Sequence, residues 1–339
     1  MKLPSTRREF AKFALTAVPA IGLLSASRSL RAADAAAKPP GKPNSKFAGV
    51  QVGLNVPYSF GGRTMAGEEV LKNCQQLNLS AVELRAQPVE GFLGLPPILV
   101  ATRIGSSKAG AAPDNNTMKI REWRRTVSMD RVKDFRRLFE DGGVKIEILK
   151  VDDITKMSDD EIDYNFTMAK TLGARAIATE IPRTDKTVPE EIARVAGEIK
   201  RLGSFADKHR FMVGYHGHTH SSAADFEAAF ALAKFNGANL DIGHYVAGGN
   251  GSPVEFMKKH HDRITHIHVK DRKWDAATKN GPNVPFGEGD TPIKEVLRLI
   301  RDNKWNIQAT IEFEYKVPAD SDRMKELARA IQFCRAALA

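Results

Sequence analysis

From residue 49 onward, short apolar runs alternate with longer stretches in which apolar residues recur every three or four positions. The runs cover 49–55, 80–85, 144–149, 174–180, 211–216, 238–242, 264–270 and 307–314. Their length and near-continuous apolar character predict eight strands buried on both faces. Helical patterns fill the gaps. After Ser128, Val132, Phe135, Leu138 and Phe139 fall on one helix face. Ser158-Asp159-Asp160-Glu161 and Thr187-Val188-Pro189-Glu190 read as capping boxes, the second with Pro189 in the first turn. Thr291-Pro292 opens a further helix that carries Ile293, Val296, Leu297 and Ile300.

Eight alternating units over about 290 residues predict an α/β fold, a TIM (β/α)8 barrel in a single domain. A doubly wound sheet is the rival architecture. The first run lacks the glycine-rich phosphate loop that such a sheet uses, which argues against it. Residues 86–127 form one long connection after the second run. It leaves the C-terminal end of a strand, the face that carries barrel active sites, so it is expected to rim or cover the site.

The run Ile264-Thr265-His266-Ile267-His268-Val269-Lys270 departs from the ordinary pattern. His266, His268 and Lys270 alternate along it and share one face. Other predicted strand ends carry polar residues of the same kind. They are Glu180, His216 with His218 and His220 just beyond, Asp241 with His244 a short turn later, and Glu312 with Glu314. All nine histidines lie at or beyond His209. Imidazoles and carboxylates gathered at one barrel face suit a single divalent metal, Mn, Co, Zn, Fe or Mg.

Composition narrows the setting. The 339 residues are 42% hydrophobic and 27% charged, ordinary for a globular chain. Cys74 and Cys334 alone make neither a disulfide framework nor a cysteine zinc site. Thr6-Arg7-Arg8-Glu9-Phe10-Ala11-Lys12 has the twin-arginine pattern, an uncharged stretch follows from residue 13 to 26, and small residues near 32–35 offer cleavage. Fourteen uncharged residues are too few to span a bilayer as a helix. Residues 1–33 are therefore expected to be a cleaved signal peptide, 34–46 a linker and 47–339 the barrel. The partner expected for residues 1–33 is the twin-arginine export machinery. The expected location is the periplasm or another exported compartment, with no membrane association after cleavage. Removing 1–33 leaves 45 Lys and Arg against 40 Asp and Glu, a net of +5 where the full chain has +10. That mild excess does not call for nucleic acid.

"GYHGH", "LDIGH", "HIHVKDR", "FGEGD" and "IEFEY", in this order, resemble the xylose isomerase-like TIM barrels, the sugar phosphate isomerase/epimerase group. The resemblance spans roughly residues 47–337. It implies one divalent metal held by residues of strands five to eight. Asp241, His268 and Glu312 match three of the ligands. The fourth is a glutamate in the sugar epimerases, and His216 stands in its place, with Glu180 as the other candidate. That glutamate also serves as acid/base in ketose 3-epimerases, so the two-glutamate mechanism does not carry over directly. The resemblance implies an isomerase or epimerase that takes a small sugar or glycoside as its partner and abstracts a proton next to a metal-polarised carbonyl. A keto-glycoside lyase, hydrolase or dehydratase is the alternative, and a non-catalytic sugar-binding barrel is the reading of another class. An apurinic endonuclease needs histidines from early strands, which this chain lacks. Glu180, His218, His244 and Lys270 are the expected catalytic groups. His266 is expected to be structural, Glu314 to support the site, His220 to be solvated, and Glu288 to shape its loop. Arg85, Arg183 and Arg272 are expected as surface salt-bridge residues, with phosphate binding as the alternative.

Overall fold

The computed structural model describes residues 41–102 and 113–339. The expected leader, 1–33, and most of the expected linker lie outside the described residues. Eight parallel strands form the barrel: β1 (Val50–Val56), β2 (Ala81–Arg85), β3 (Lys145–Lys150), β4 (Ala176–Glu180), β5 (Met212–His216), β6 (Asn236–Asp241), β7 (Ile264–Val269) and β8 (Gln308–Ile311). Each pairs with its sequence neighbours, and β8 pairs with β1, so the sheet closes. Every apolar run thus became a strand. The one marked difference in extent is β8, which ends at Ile311 although the run reaches residue 314. Glu312 is still tied to the sheet, because its N–H donates to Val269 O at 3.1 Å.

Inside the barrel, Ile148, Ala176 and Ala178 form a small apolar floor, with Met212 against it. The main core lies between strands and helices, where apolar helix faces such as Val132, Phe135 and Phe139 are buried. Closure needs small residues at crowded inner positions. A Cβ on Gly214 would fall 2.1 Å from Thr265 Oγ1. Two register shifts sit just below the polar level. One lies between Val82 and Glu83 against β3, and the other between Ala238 and Asn239 against β7. Such shifts re-aim the side chains that follow. Above them the register sets Arg85 beside Lys150, Glu180 beside His216, and Asp241 beside His268.

Several local expectations are corrected. The box at Ser158 forms, with Glu161 Oε2 accepting from Ser158 N at 3.0 Å. The one at Thr187 does not. Asp185 Oδ1 accepts from Thr187 N and Oγ1, so Val188 precedes the helix Pro189–His209. The connection 86–127 is largely helical where described, with helices Ala86–Phe92, Pro97–Val100 and Asn115–Thr126. Arg124 anchors it through buried ion pairs to Glu90 and Glu161, both at 2.8 Å. The barrel's own contacts also begin before residue 47. Ser45 is buried and donates to Val52 O at 2.6 Å. Among the described residues, no helix is long and apolar enough to cross a membrane.

Candidate metal centre

Strand ends bring His216, Asp241, His268 and Glu312 together. One donor atom from each lies within 4.8 Å of the others, and all four residues are buried. Asp241 does two things. Its Oδ1 caps the helix Ile242–Ala247 by accepting from His244 N at 2.8 Å. Its Oδ2 is buried and meets the Lys270 ammonium at 3.0 Å, while His216 Nδ1 and His268 Nδ1 are buried without a hydrogen bond among the described residues. Leaving two buried ring nitrogens unsatisfied is costly in a protein interior. Two imidazoles and two carboxylates converging on one point fit a divalent metal, which would satisfy them all.

His268 is held from behind. Its Nε2 lies 2.5 Å from Glu83 Oε2, and both side chains are fully buried. The carboxylate fixes a proton on Nε2 and turns Nδ1 toward Glu312 Oε2 at 3.3 Å and Asp241 Oδ2 at 3.7 Å. Burial alone would lower the His268 pKa, but Glu83 and then Glu312 raise it well above the usual value. Without a cation the ring therefore carries a second proton on Nδ1, where a metal would sit. His266, one layer down, has Nδ1 2.9 Å from Thr265 Oγ1 and Nε2 3.5 Å from Glu83, a structural role. Glu312 accepts from Asn55 Nδ2 at 2.7 Å through Oε1. Burial pushes His216 well below its usual pKa, so it is a neutral donor.

The expected catalytic residues surround this centre. Lys270 is buried, with Nζ 3.0 Å from Asp241, 2.5 Å from Glu312 and 2.5 Å from Glu314. Burial would lower its pKa, but Asp241, Glu312 and Glu314 raise it strongly. Glu314 thus supports the site through Lys270, and it also accepts from Tyr58 Oη at 2.9 Å. His244 sits between Lys270 Nζ, 3.1 Å from Nε2, and Arg272, whose guanidinium is 2.5 Å from Nδ1. Burial pushes the His244 pKa down to about 3, which keeps it neutral. His218 stacks on His244 with ring centres 4.7 Å apart. Its Nε2 lies 2.8 Å from Glu180 Oε2. Glu180 Oε1 lies 2.7 Å from Lys150 Nζ, and the group stands 4.0 Å from His216 Nε2. The converging donor set therefore contains His216, while Glu180 serves His218 and Lys150.

Other expectations need correction. Arg85 and Arg272 are buried rather than on the surface. Arg85 pairs with Asp152, and Arg272 donates to Gly281 O and packs on His244. Arg183 and His220 are exposed. The loop after Pro285 is organised by Asp271, whose Oδ2 accepts from Gly287 N and Gly289 N at 2.8 and 2.9 Å, not by Glu288. Glu83, Asn55, Tyr58, Lys150 and Asp152 were not picked out from the sequence. The available signal was a pair of charges spaced within an apolar run, Glu83 and Arg85 in "AVELR" and Glu147 and Lys150 in "EILKV".

Glu83 gives a direct test of the centre. Glu83→Gln keeps the shape but replaces the proton-holding carboxylate with a neutral amide. Metal affinity is expected to fall about 10–100-fold. A competition titration against a chromophoric chelator measures it, and an unchanged affinity would show that Glu83 does not orient His268.

The chain matches the family model described as "Xylose isomerase-like TIM barrel" over residues 115–337. It is 25% identical over 162 residues to an inosose dehydratase of Clostridium tetani, which covers 42% of this chain and 54% of the relative. The chain thus spans about half the length of the curated relatives it matches. In fold it is similar to a xylose isomerase domain protein of Planctomyces limnophilus, with a TM-score of 0.59 at 18% identity, over 85% of this chain and 97% of the other. It is also similar to the IolI protein with a bound zinc atom, with a TM-score of 0.57 at 15% identity, over 85% and 98%. A match to the family model over this much of the chain, together with the closed eight-stranded barrel, shows that the protein belongs to the xylose isomerase-like TIM barrel family.

Proposed function

We propose that the protein is a divalent-metal-dependent lyase of keto-polyols. It removes a proton next to a ketone and expels the oxygen substituent one carbon further on. The observation that carries this reading is the unlikeness of the two groups that flank the centre. The His218–Glu180 pair and the Lys270 ammonium both stand at the centre, bridged by His244, which stacks on His218 and lies 3.1 Å from Lys270 Nζ. A divalent cation in the centre would polarise the substrate carbonyl and acidify the adjacent C–H.

Glu180 holds a proton on His218 Nε2, which leaves Nδ1 to take the substrate proton. The C–H electrons form the new C=C bond, and the C–O bond to the leaving group breaks. Lys270 donates a proton to the departing oxygen. Its raised pKa does not prevent this, because a departing hydroxide is the conjugate base of water, with a pKa of about 15.7. The buried walls around His216, Asp241 and His268 keep bulk water from quenching the step.

Isomerisation or epimerisation is the second reading. It shares the first proton transfer and then returns the proton to carbon. The Glu314 carboxylate beside Lys270 favours it, since the pair could carry a proton to either atom. Similarity to inosose dehydratases supports the lyase. Catalysis after twin-arginine export is part of the proposal, motivated by Arg7 and Arg8.

The test is to incubate metal-loaded protein with a keto-inositol and, separately, with a keto-polyol acid in deuterated water. Formation of an enone, read by ultraviolet absorbance, supports the lyase. Deuterium uptake with a rearranged or epimerised sugar supports the second reading. Bound metal with neither outcome leaves a sugar-binding barrel.

A further inference from the structure

Across the barrel mouth from β6 and β7, a second charged group closes the site. Arg85 ends β2 and Lys150 ends β3, side by side in register. Both are buried, at 4% and 1% exposure. Asp152 takes Arg85 Nη1 with both oxygens at 2.6 Å, and half-exposed Arg63 adds a contact at 3.4 Å. The Tyr58 ring lies under both guanidiniums, at 5.1 and 5.8 Å. The group is continuous with the centre. Glu180 links Lys150 to His218, and Tyr58 links Arg85 to Glu314 and so to Lys270. A ligand filling the mouth would touch both.

Two observations show that this group is built to receive something. First, Arg85 Nε is a buried donor without a hydrogen bond among the described residues. The buried Lys150 ammonium has three N–H groups and its one ion-pair contact among the described residues is Glu180 Oε1 at 2.7 Å, which leaves donors to spare. Open donors on buried cations carry a desolvation cost that an acceptor would relieve. Second, among the described residues the ion pairs of this group set three cations, Arg63, Arg85 and Lys150, against two carboxylates, Asp152 and Glu180. The unmatched charge is a single positive one. A carboxylate balances it, whereas a phosphate ester carries nearly two negative charges and a hydroxyl none.

We propose that Arg85 and Lys150 form a subsite for a carboxylate carried by the substrate. The substrate class is then a keto-polyol acid rather than a neutral sugar or a sugar phosphate. This rests on the reading of the mouth as a polyol site. Charge-assisted hydrogen bonds in a dry pocket give the selectivity.

The experiment is calorimetric titration of the metal-loaded full chain with D-glucuronate, D-glucose and D-glucose 6-phosphate, which differ at one carbon. Glucuronate is expected to bind at least about 10-fold more tightly than the other two. Lys150→Met should erase that preference. If Lys150→Met does not fold, Arg63→Gln, at a half-exposed position, should still cut the preference several-fold by removing the unmatched charge. Equal binding of glucuronate and glucose, tighter binding of the phosphate, or a preference unchanged in a folded variant overturns the subsite. Metal content measured on the same samples separates the two readings. Metal uptake without carboxylate preference sinks the subsite alone, and carboxylate preference without metal uptake sinks the metal-dependent lyase alone.

Discussion

His268→Ala and Asp241→Asn are each expected to empty the centre of its divalent cation and to lower activity at least about 1,000-fold. The magnitude follows from losing several kcal/mol of Lewis-acid stabilisation at about 1.36 kcal/mol per factor of ten. The two variants fail differently in stability. His268→Ala strands the Glu83 carboxylate in a fully buried position where His266, 3.5 Å away, is its one remaining ion-pair partner among the described residues. Removing one partner of a buried charged pair costs about 3–5 kcal/mol, so this variant should also unfold at lower denaturant. Asp241→Asn keeps an oxygen to cap His244 N and loses only the charge. It should remain folded while metal content, read by elemental analysis, falls. Full metal retention in both would remove the centre from the mechanism.

The same geometry sets a pH dependence for metal uptake. Glu83 and Glu312 hold a second proton on His268 when no cation is present. A metal must displace that proton, so uptake releases it and weakens as pH falls. Asp241 does not add to this trend near neutrality. Burial would raise its pKa, but the Lys270 ammonium 3.0 Å away keeps it well below the carboxylate range.

The barrel and the metal-facing half of the site were legible in the sequence for one reason. Each strand buried on both faces leaves an apolar run, and inward polar residues interrupt it visibly. His268 and Asp241 stand out because imidazoles and carboxylates are rare in such runs. Glu83, Lys150 and Arg85 serve the same site but come from strands without histidine. Each is a single charge, which a sequence alone cannot tell from a surface residue. Their partners lie far away in the chain, with Glu83 separated from His268 by 185 positions. The register shift before Glu83 is equally invisible, because it depends on how β2 meets β3. The failed box at Thr187 shows the local version of this limit. Asp185 offered a competing acceptor two residues earlier, and it won.

His218→Ala and Lys270→Met are expected to separate the two halves of the reaction. His218 takes the proton, so its loss should lower solvent deuterium exchange and enone formation together, by about 100–10,000-fold. Metal content should stay near the wild-type level, because His218 lies outside the converging donor set. Lys270 acts on the departing oxygen. Its loss should spare exchange at carbon to within a few-fold while enone formation falls by a similar 100–10,000-fold. Lys270→Met also leaves Asp241, Glu312 and Glu314 without their shared ammonium. A bound divalent cation can neutralise the first two, so the variant should depend on metal for stability more steeply than the wild type does. If Lys270→Met loses exchange as completely as His218→Ala, the lysine belongs to proton removal and the assignment of roles fails. If both variants keep exchange, the base lies elsewhere, and the unlike flanks no longer distinguish elimination from epimerisation.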